Sequence, residues 1–195
     1  MARRLEYFFD YVSPYSYLAD SQVPALVHRT GAELVHRPFL LGGVMKAAGN
    51  SPPATVAAKA RYMPTDIARW LRRYGLGFEF NPHFPVNTVK AMRGALVALE
   101  QGVFPAYHQA MFRAMWLEKK NLGDEAVLGA VIEAAGLDAG AILARAGEDA
   151  VKERLRANTE EAVARGAFGA PTFFVGDGMF FGNDRLDFVE EALKG

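Results

Sequence analysis

The amino-acid sequence predicts an α/β fold in which a β-α-β unit and a β-β-α unit enclose a long run of helices. Three observations predict it. Short apolar, aromatic segments stand near both ends of the chain. A glycine-rich turn signal separates the last two of them. Between about residues 41 and 166, apolar side chains recur at helical spacing instead.

Residues 5–12 are short, aromatic and mostly apolar, which reads as a buried strand. Ser13 and Pro14 then open a helix. Serine is a favoured N-cap, and proline fits the first helical position because its missing N–H would be unpaired there anyway. Tyr15, Leu18, Ala19, Gln22, Val23 and Leu26 keep helical spacing, with a kink expected at Pro24 and an end at Gly31. Residues 32–37 read as a second strand. In the helical block, Ile67, Trp70, Leu71 and Tyr74 mark one face, entered through Pro64 and stopped by Gly75. Val89, Met92, Leu96 and Leu99 mark another, capped by Asn87. Phe104, Tyr107, His108, Met111, Phe112, Met115 and Trp116 form a dense aromatic face, suited to a core or to an interface. Val127, Leu128, Val131 and Ile132 form a fourth face, closed by Gly136, and Leu155, Thr159, Ala162 and Val163 suggest a fifth. Strand character returns at residues 171–175 and, after Gly176-Asp-Gly178, at residues 179–181. A last helix begins near Asp184.

The first unit implies parallel strands joined by a right-handed crossover, and the second a hairpin that extends the same sheet. That order is the thioredoxin arrangement with a helical insertion. Residues 1–40 and 166–195 read as the thioredoxin-like domain, and residues 41–165 as the inserted helical domain.

Composition sets limits on the chemistry. The chain has 195 residues, 51% of them hydrophobic and 23% charged, which is ordinary for a soluble globular protein. Basic and acidic residues number 22 each, so no net charge draws the molecule toward nucleic acid or an anionic membrane. There is no cysteine, which excludes disulfides, thiolate metal sites, cysteine nucleophiles and disulfide exchange by the chain itself. Thiol chemistry therefore needs a thiol brought in from outside. The N-terminus has no sustained apolar stretch of the kind a signal peptide carries, and no run reaches membrane-spanning length, so the expected location is cytoplasmic.

Four constellations carry polar groups suited to a site. Ser13 and Pro14 stand at a strand-to-helix junction, where helix N–H groups and a hydroxyl stabilise a thiolate, carboxylate or phosphate, or where Ser13 simply caps. Ala170 and Pro171 precede a strand, so Pro171 belongs at an edge or a special turn, and a cis bond there would leave the Ala170 main chain open to an extended peptide. Asn183 and Asp184 stand where one of them caps the last helix or holds an ammonium and a carboxylate. Lys46 and Asn50 are one helical turn apart and face one ligand if that stretch is helical, whereas Lys59, Arg61, Arg69, Arg72 and Arg73 read mostly as solvated charges. His28, His36, His83 and His108 make no recognised metal spacing, and His108 reads as a packed core residue.

Taken in order, these segments resemble the 2-hydroxychromene-2-carboxylate isomerase family, kin of the kappa-class glutathione transferases in the DsbA-like thioredoxin group. The resemblance runs essentially end to end. It rests on Phe9-Asp-Tyr-Val-Ser-Pro-Tyr15, on Lys59-Ala-Arg-Tyr62 with Asp66 and Arg69-Trp70, on Phe84-Pro-Val-Asn-Thr88, on Gly169-Ala-Pro-Thr172 and on Phe181-Gly-Asn-Asp-Arg-Leu186. It implies glutathione as cofactor, a small aromatic carboxylate as substrate, and a homodimer. Ser13 would hydrogen-bond the glutathione sulfur, at the position where a redox relative carries its reactive cysteine. Ala170, ahead of a cis Pro171, would pair with the tripeptide's cysteine, Asn183 and Asp184 would hold the γ-glutamyl end, and Lys46, Asn50 and Asn87 would line the cleft. The implied activity is cis-trans isomerisation of 2-hydroxychromene-2-carboxylate, or a similar conjugated intermediate of aromatic-compound breakdown such as that of naphthalene, by reversible addition of the glutathione thiolate. Two alternatives stay open. One is a kappa-like transferase that releases a conjugate. The other is a cysteine-free peptide-binding protein that works along the edge beside Pro171.

Overall fold

The computed structural model describes residues 3–195. Strand β1 (Arg4–Phe9) is central, flanked by β2 (Glu33–Pro38) and β3 (Thr172–Val175), with β4 (Gly178–Phe181) outside β3. β1 and β2 run parallel, with Leu5 opposite Leu34 and Phe9 opposite Pro38. β3 runs antiparallel to β1, with Tyr7 opposite Phe173, and β4 returns antiparallel to β3. The expected β-α-β unit and the expected hairpin therefore share one sheet. The edges are β2 and β4, so the strand after Pro171 is interior rather than an edge.

The two faces of β1 divide the core. Leu5, Tyr7 and Phe9 join one large cluster, and Phe8 joins a second with Phe39, Val44, Ala162, Ala170 and Phe174. This is the alternation that a pleated strand imposes, and each such side chain contributes about 1.5–3 kcal/mol by leaving water.

Between β1 and β2 lie two helices, α1 (Pro14–Asp20) and α2 (Val23–Thr30), where one kinked helix is expected. Pro24 explains the break: it has no N–H to offer and its ring clashes with the carbonyl four residues back, but it is tolerated in the first turn of α2. Gly31 closes α2 with φ +64. Then come α3 (Leu41–Ala47), a 3₁₀ turn at Pro53–Thr55, α4 (Ala57–Tyr74), α5 (Val89–Glu100), α6 (Phe104–Trp116), α7 (Glu125–Ala134), α8 (Ala139–Ala146) and α9 (Asp149–Ala164). α4 begins seven residues before Pro64, which sits inside it, because the alanines and basic residues of its first turns are good helix formers. The aromatic face of α6 is consumed by the core: Tyr107, Met111, Met115 and Trp116 are fully buried within one chain. A 3₁₀ turn at Asn183–Arg185 precedes the last helix, α10 (Leu186–Lys194), which therefore starts two residues later than expected.

Candidate active site

The site begins where β1 ends. Asp10 is 2% exposed, and its carboxylate accepts three hydrogen bonds. Oδ1 takes the Val12 N–H at 3.1 Å and the Thr88 hydroxyl at 2.6 Å, and Oδ2 takes the Leu41 N–H at 3.0 Å. Its main-chain carbonyl accepts the Ser13 N–H at 3.0 Å. One residue thus holds the starts of α1, α3 and α5 against the end of β1. Burial pushes its pKa above the ordinary carboxylate value, and the bonds from Thr88, Leu41 and Val12 pull it partly back. Sequence reasoning gave Asp10 no role, although a carboxylate closing an apolar strand just before an N-cap is a signal that it has buried partners.

Ser13 caps α1 as expected: its Oγ accepts the Ser16 N–H at 3.1 Å. The same Oγ donates to the Ala170 carbonyl at 3.1 Å, across 157 residues of sequence. The hydroxyl proton therefore points at the Ala170 carbonyl. α1 is seven residues long, so its dipole adds less than the longer helix expected from the sequence. Ala170 is buried rather than exposed, and among the described residues nothing accepts its N–H. The bond between Ala170 and Pro171 is cis, as is that between Phe84 and Pro85. The Pro171 carbonyl accepts the Gly182 N–H at 3.0 Å, which draws the Asn183–Arg185 turn to the same place.

Neither Asn183 nor Asp184 caps α10 with its side chain. Asn183 is 3% exposed, and its Nδ2 is a buried donor with no partner among the described residues. Its main-chain carbonyl accepts the Tyr74 hydroxyl of α4 at 3.3 Å. Asp184 is half-exposed and pairs with Arg185. Gly182 adopts φ +98, and a Cβ there would collide with the Asp184 carboxylate, so the turn requires glycine. α4 supplies a second carboxylate: Asp66 accepts the Tyr15 hydroxyl at 3.1 Å and the Tyr62 hydroxyl at 3.3 Å. Burial and then Asp66 push the Tyr15 hydroxyl pKa up, with Tyr62 and Asp184 adding to it. Asp66 and Asp184 thus both act on Tyr15 at this end of the site.

The remaining nominated residues are arranged differently from expectation. α3 ends at Ala47, so Lys46 and Asn50 do not share a helical face. Asn50 instead donates from Nδ2 to the Phe168 carbonyl at 2.9 Å and pins its loop to the loop that carries Ala170. Lys46 is exposed in the last turn of α3. Asn87 Oδ1 accepts the Val89 N–H at 3.1 Å, so it does support the start of α5, from one residue ahead of the N-cap Thr88. Hydrogen bonds therefore link Ser13 with Ala170, Pro171 with the Asn183–Arg185 turn, and Asn50 with Phe168, while Asn87 is engaged with its own helix. Two cavities lie elsewhere, one of about 800 Å³ between α3 and α9 and one of about 600 Å³ between α6 and α7. Neither is lined by Ser13, Ala170 or Asn183. The polar chemistry sits instead where loops from four elements meet.

A family model described as a DSBA-like thioredoxin domain matches residues 4–194. A 2-hydroxychromene-2-carboxylate isomerase of Sphingobium xenophagum is 34% identical, over 99% of each chain. Glutathione S-transferase kappa 1 of Rattus norvegicus is 31% identical, over 98% of this chain and 91% of its own. A solved structure of a 2-hydroxychromene-2-carboxylate isomerase superposes with a TM-score of 0.86 at 30% identity, covering 97% of this chain and 93% of that chain. With its sheet order, its cis Pro171 and a serine capping the first helix, the chain belongs to the DSBA-like thioredoxin family, among the 2-hydroxychromene-2-carboxylate isomerases and their kappa-class glutathione transferase kin.

Proposed function

We propose that this protein is a glutathione-dependent cis-trans isomerase acting on 2-hydroxychromene-2-carboxylate or a similar conjugated intermediate of aromatic-compound breakdown. The observation that carries this reading is the orphaned Asn183 Nδ2. A buried amide donor left unpaired costs about 1–3 kcal/mol, and such groups are rare unless a partner arrives.

The residues present fit glutathione. Asn183 Nδ2 donates to the carboxylate of the γ-glutamyl end, and Asp184 accepts from its ammonium. The open N–H of Ala170 pairs with the main chain of the tripeptide's cysteine, beside Pro171. When bound, glutathione supplies a thiolate that adds reversibly to a conjugated bond and so frees rotation about it. Ser13 Oγ turns its proton from the Ala170 carbonyl toward the sulfur and holds it as the thiolate. Asp10 keeps Ser13 in place by holding the Val12 and Ser13 N–H groups that lead into α1. Lys46 and Asn50 steady the substrate carboxylate, with Asn87 at the margin of the cleft.

The test follows isomer formation and free thiol together in one mixture of protein, glutathione and chromene carboxylate. The expected result is isomerisation that requires glutathione and leaves its concentration constant. Thiol consumed one for one with product would establish the transferase reading, which the 31% identity to the rat kappa enzyme favours. No turnover with glutathione would overturn both. A cytoplasmic homodimer belongs to the same reading, and sedimentation velocity on the purified chain checks the dimer. Among the described residues no helix is long and apolar enough to cross a membrane.

A further inference from the structure

A second polar cluster stands at the other end of α1, away from Ser13. Asp20 is the last residue of that helix, His36 lies in β2 and His108 in α6. One ligand atom from each lies within 4.8 Å of the other two. His108 Nε2 is 2.7 Å from Asp20 Oδ1, and His108 Nδ1 is 3.1 Å from the Tyr11 hydroxyl. His36 packs against Phe104 and His108, with ring centroids 4.5 and 5.3 Å away, yet no described group hydrogen-bonds its ring.

We propose that Asp20, His36 and His108 bind one divalent first-row transition cation of the zinc class. Two imidazoles and one carboxylate are a recurrent ligand set for such ions, with water in the open position. A plain Asp20–His108 ion pair accounts for two of the three side chains and leaves His36 without a partner. A cation accounts for all three. Tyr11 supplies the outer hydrogen bond that a metal-bound imidazole needs on its second nitrogen. Phe9, Phe104 and Phe112 surround His108 with apolar rings. The Asp20 side chain remains 27% exposed, which gives an ion a way in.

Helix electrostatics points the same way. Asp20 places a negative charge at the C-terminal end of α1, where the partial charge of the backbone is also negative, and no basic residue stands in that last turn. A cation offsets both. Zinc takes nitrogen and oxygen at about 2.0–2.2 Å, which sets tetrahedral ligand atoms roughly 3.3–3.6 Å apart, so the His108–Asp20 pair, now 2.7 Å apart, must open as the ion replaces the hydrogen bond between them. Bound there, the ion clamps α1, β2 and α6, which belong to distant stretches of the sequence. The inference stands apart from the reading of Ser13, and it is tested without substrate.

Zinc titration calorimetry and equilibrium dialysis with metal analysis, on chain free of any affinity tag and of glutathione (whose thiolate binds zinc itself), decide it. The expected result is one zinc per chain and a Tm raised by about 5 °C at roughly a hundredfold excess over Kd. His36→Gln and Asp20→Asn, checked for folding by circular dichroism, should each weaken binding more than about tenfold. Tyr11→Phe should weaken it about tenfold through the outer bond alone. If one ligand variant fails to fold, the other decides. The proposal is overturned if the wild-type chain shows no saturable binding. It is equally overturned if the folded ligand variants bind zinc as the wild type does, since the ion would then sit elsewhere on the surface.

Discussion

At the scale of single residues, Ser13 and Asp10 divide the work at the end of β1. Ser13→Ala removes the cap on Ser16 and the bond to the Ala170 carbonyl together. The loss in stability should be about 1–2 kcal/mol, which a chain of this size survives. Isomerisation should fall about a hundredfold, the usual effect of deleting one donor to a developing anion, while glutathione still binds through Ala170, Asn183 and Asp184. Ultraviolet titration of bound thiolate measures the cause directly: an unchanged thiol pKa would mean that Ser13 only ties two loops together. Asp184→Ala separates binding from folding in the opposite direction. Because Asp184 makes no capping bond, its loss should leave Tm nearly unchanged and weaken glutathione about tenfold, as read by calorimetry. Equal affinity in the variant would remove Asp184 from the site. Asp10 predicts a pH dependence. Its folded pKa is raised above the ordinary 3.8, so its contribution to stability is full below that value and declines as pH rises through the folded pKa. Denaturant unfolding of the wild type and Asp10→Asn, in steps from about pH 4 to about pH 7, should show the wild type's advantage shrinking with pH. An advantage that grows with pH would contradict the burial argument.

At the scale of elements, helix packing carries a sharper prediction than helix propensity. Gly94 lies in the middle of α5, and a Cβ there would run into the Tyr107 hydroxyl and its Cζ, the latter 2.8 Å away. Tyr107 is fully buried and donates to the Ala91 carbonyl at 2.8 Å, so it cannot swing clear. Gly94→Ala should therefore lower stability by about 1–3 kcal/mol although alanine is the better helix former. Tyr107→Phe removes the colliding oxygen and should recover part of that loss in a double-mutant cycle by thermal denaturation. Additive effects of the two changes would show that the helices part rather than clash. Elements with one buried face were legible in the sequence. The strands at both ends and the faces of α5, α6 and α7 fall where their periodicity places them. The missed α8 and the early part of α4 present weaker signals. α8 is largely alanine and glycine, and its one local signal is Asp138 accepting the Ala141 N–H at 2.8 Å. The first turns of α4 are exposed all round, so only its later half showed a period. The candidate site was legible to the extent that its residues sit in short ordered motifs, as the proposed Ser13, Ala170 and Asn183 do. Asp10 with Thr88, and Asp20 with His36 and His108, meet only through the fold, and no spacing along the chain announces them. The hydrogen bond from Asn50 to the Phe168 carbonyl was illegible for the same reason.

At the scale of the molecule, one core spans the sheet and the helical block. The cluster that contains Leu5, Tyr7 and Phe173 of the sheet also contains Met92, Trp116 and Leu128 of the helices. Melting the sheet therefore exposes the helices' own apolar faces. Heating should give a single cooperative transition, with near- and far-ultraviolet circular dichroism coinciding. Two separated transitions would mean that the helical segment holds together alone. The position of β1 in the sheet has a further consequence, for the chain as it is made. β1 leaves the ribosome first, and β2 follows shortly to cover one edge, but the partner for the other edge begins at Thr172. At about 5–20 residues per second, the Tyr7, Phe8 and Phe9 segment waits on the order of ten seconds with that edge open to any passing strand. Nascent chains arrested before Thr172 should be captured by holdase chaperones or aggregate, and those arrested after Phe181 has emerged should not. The last strand pair thus sets when a newborn copy becomes safe, long after most of its helices have been translated.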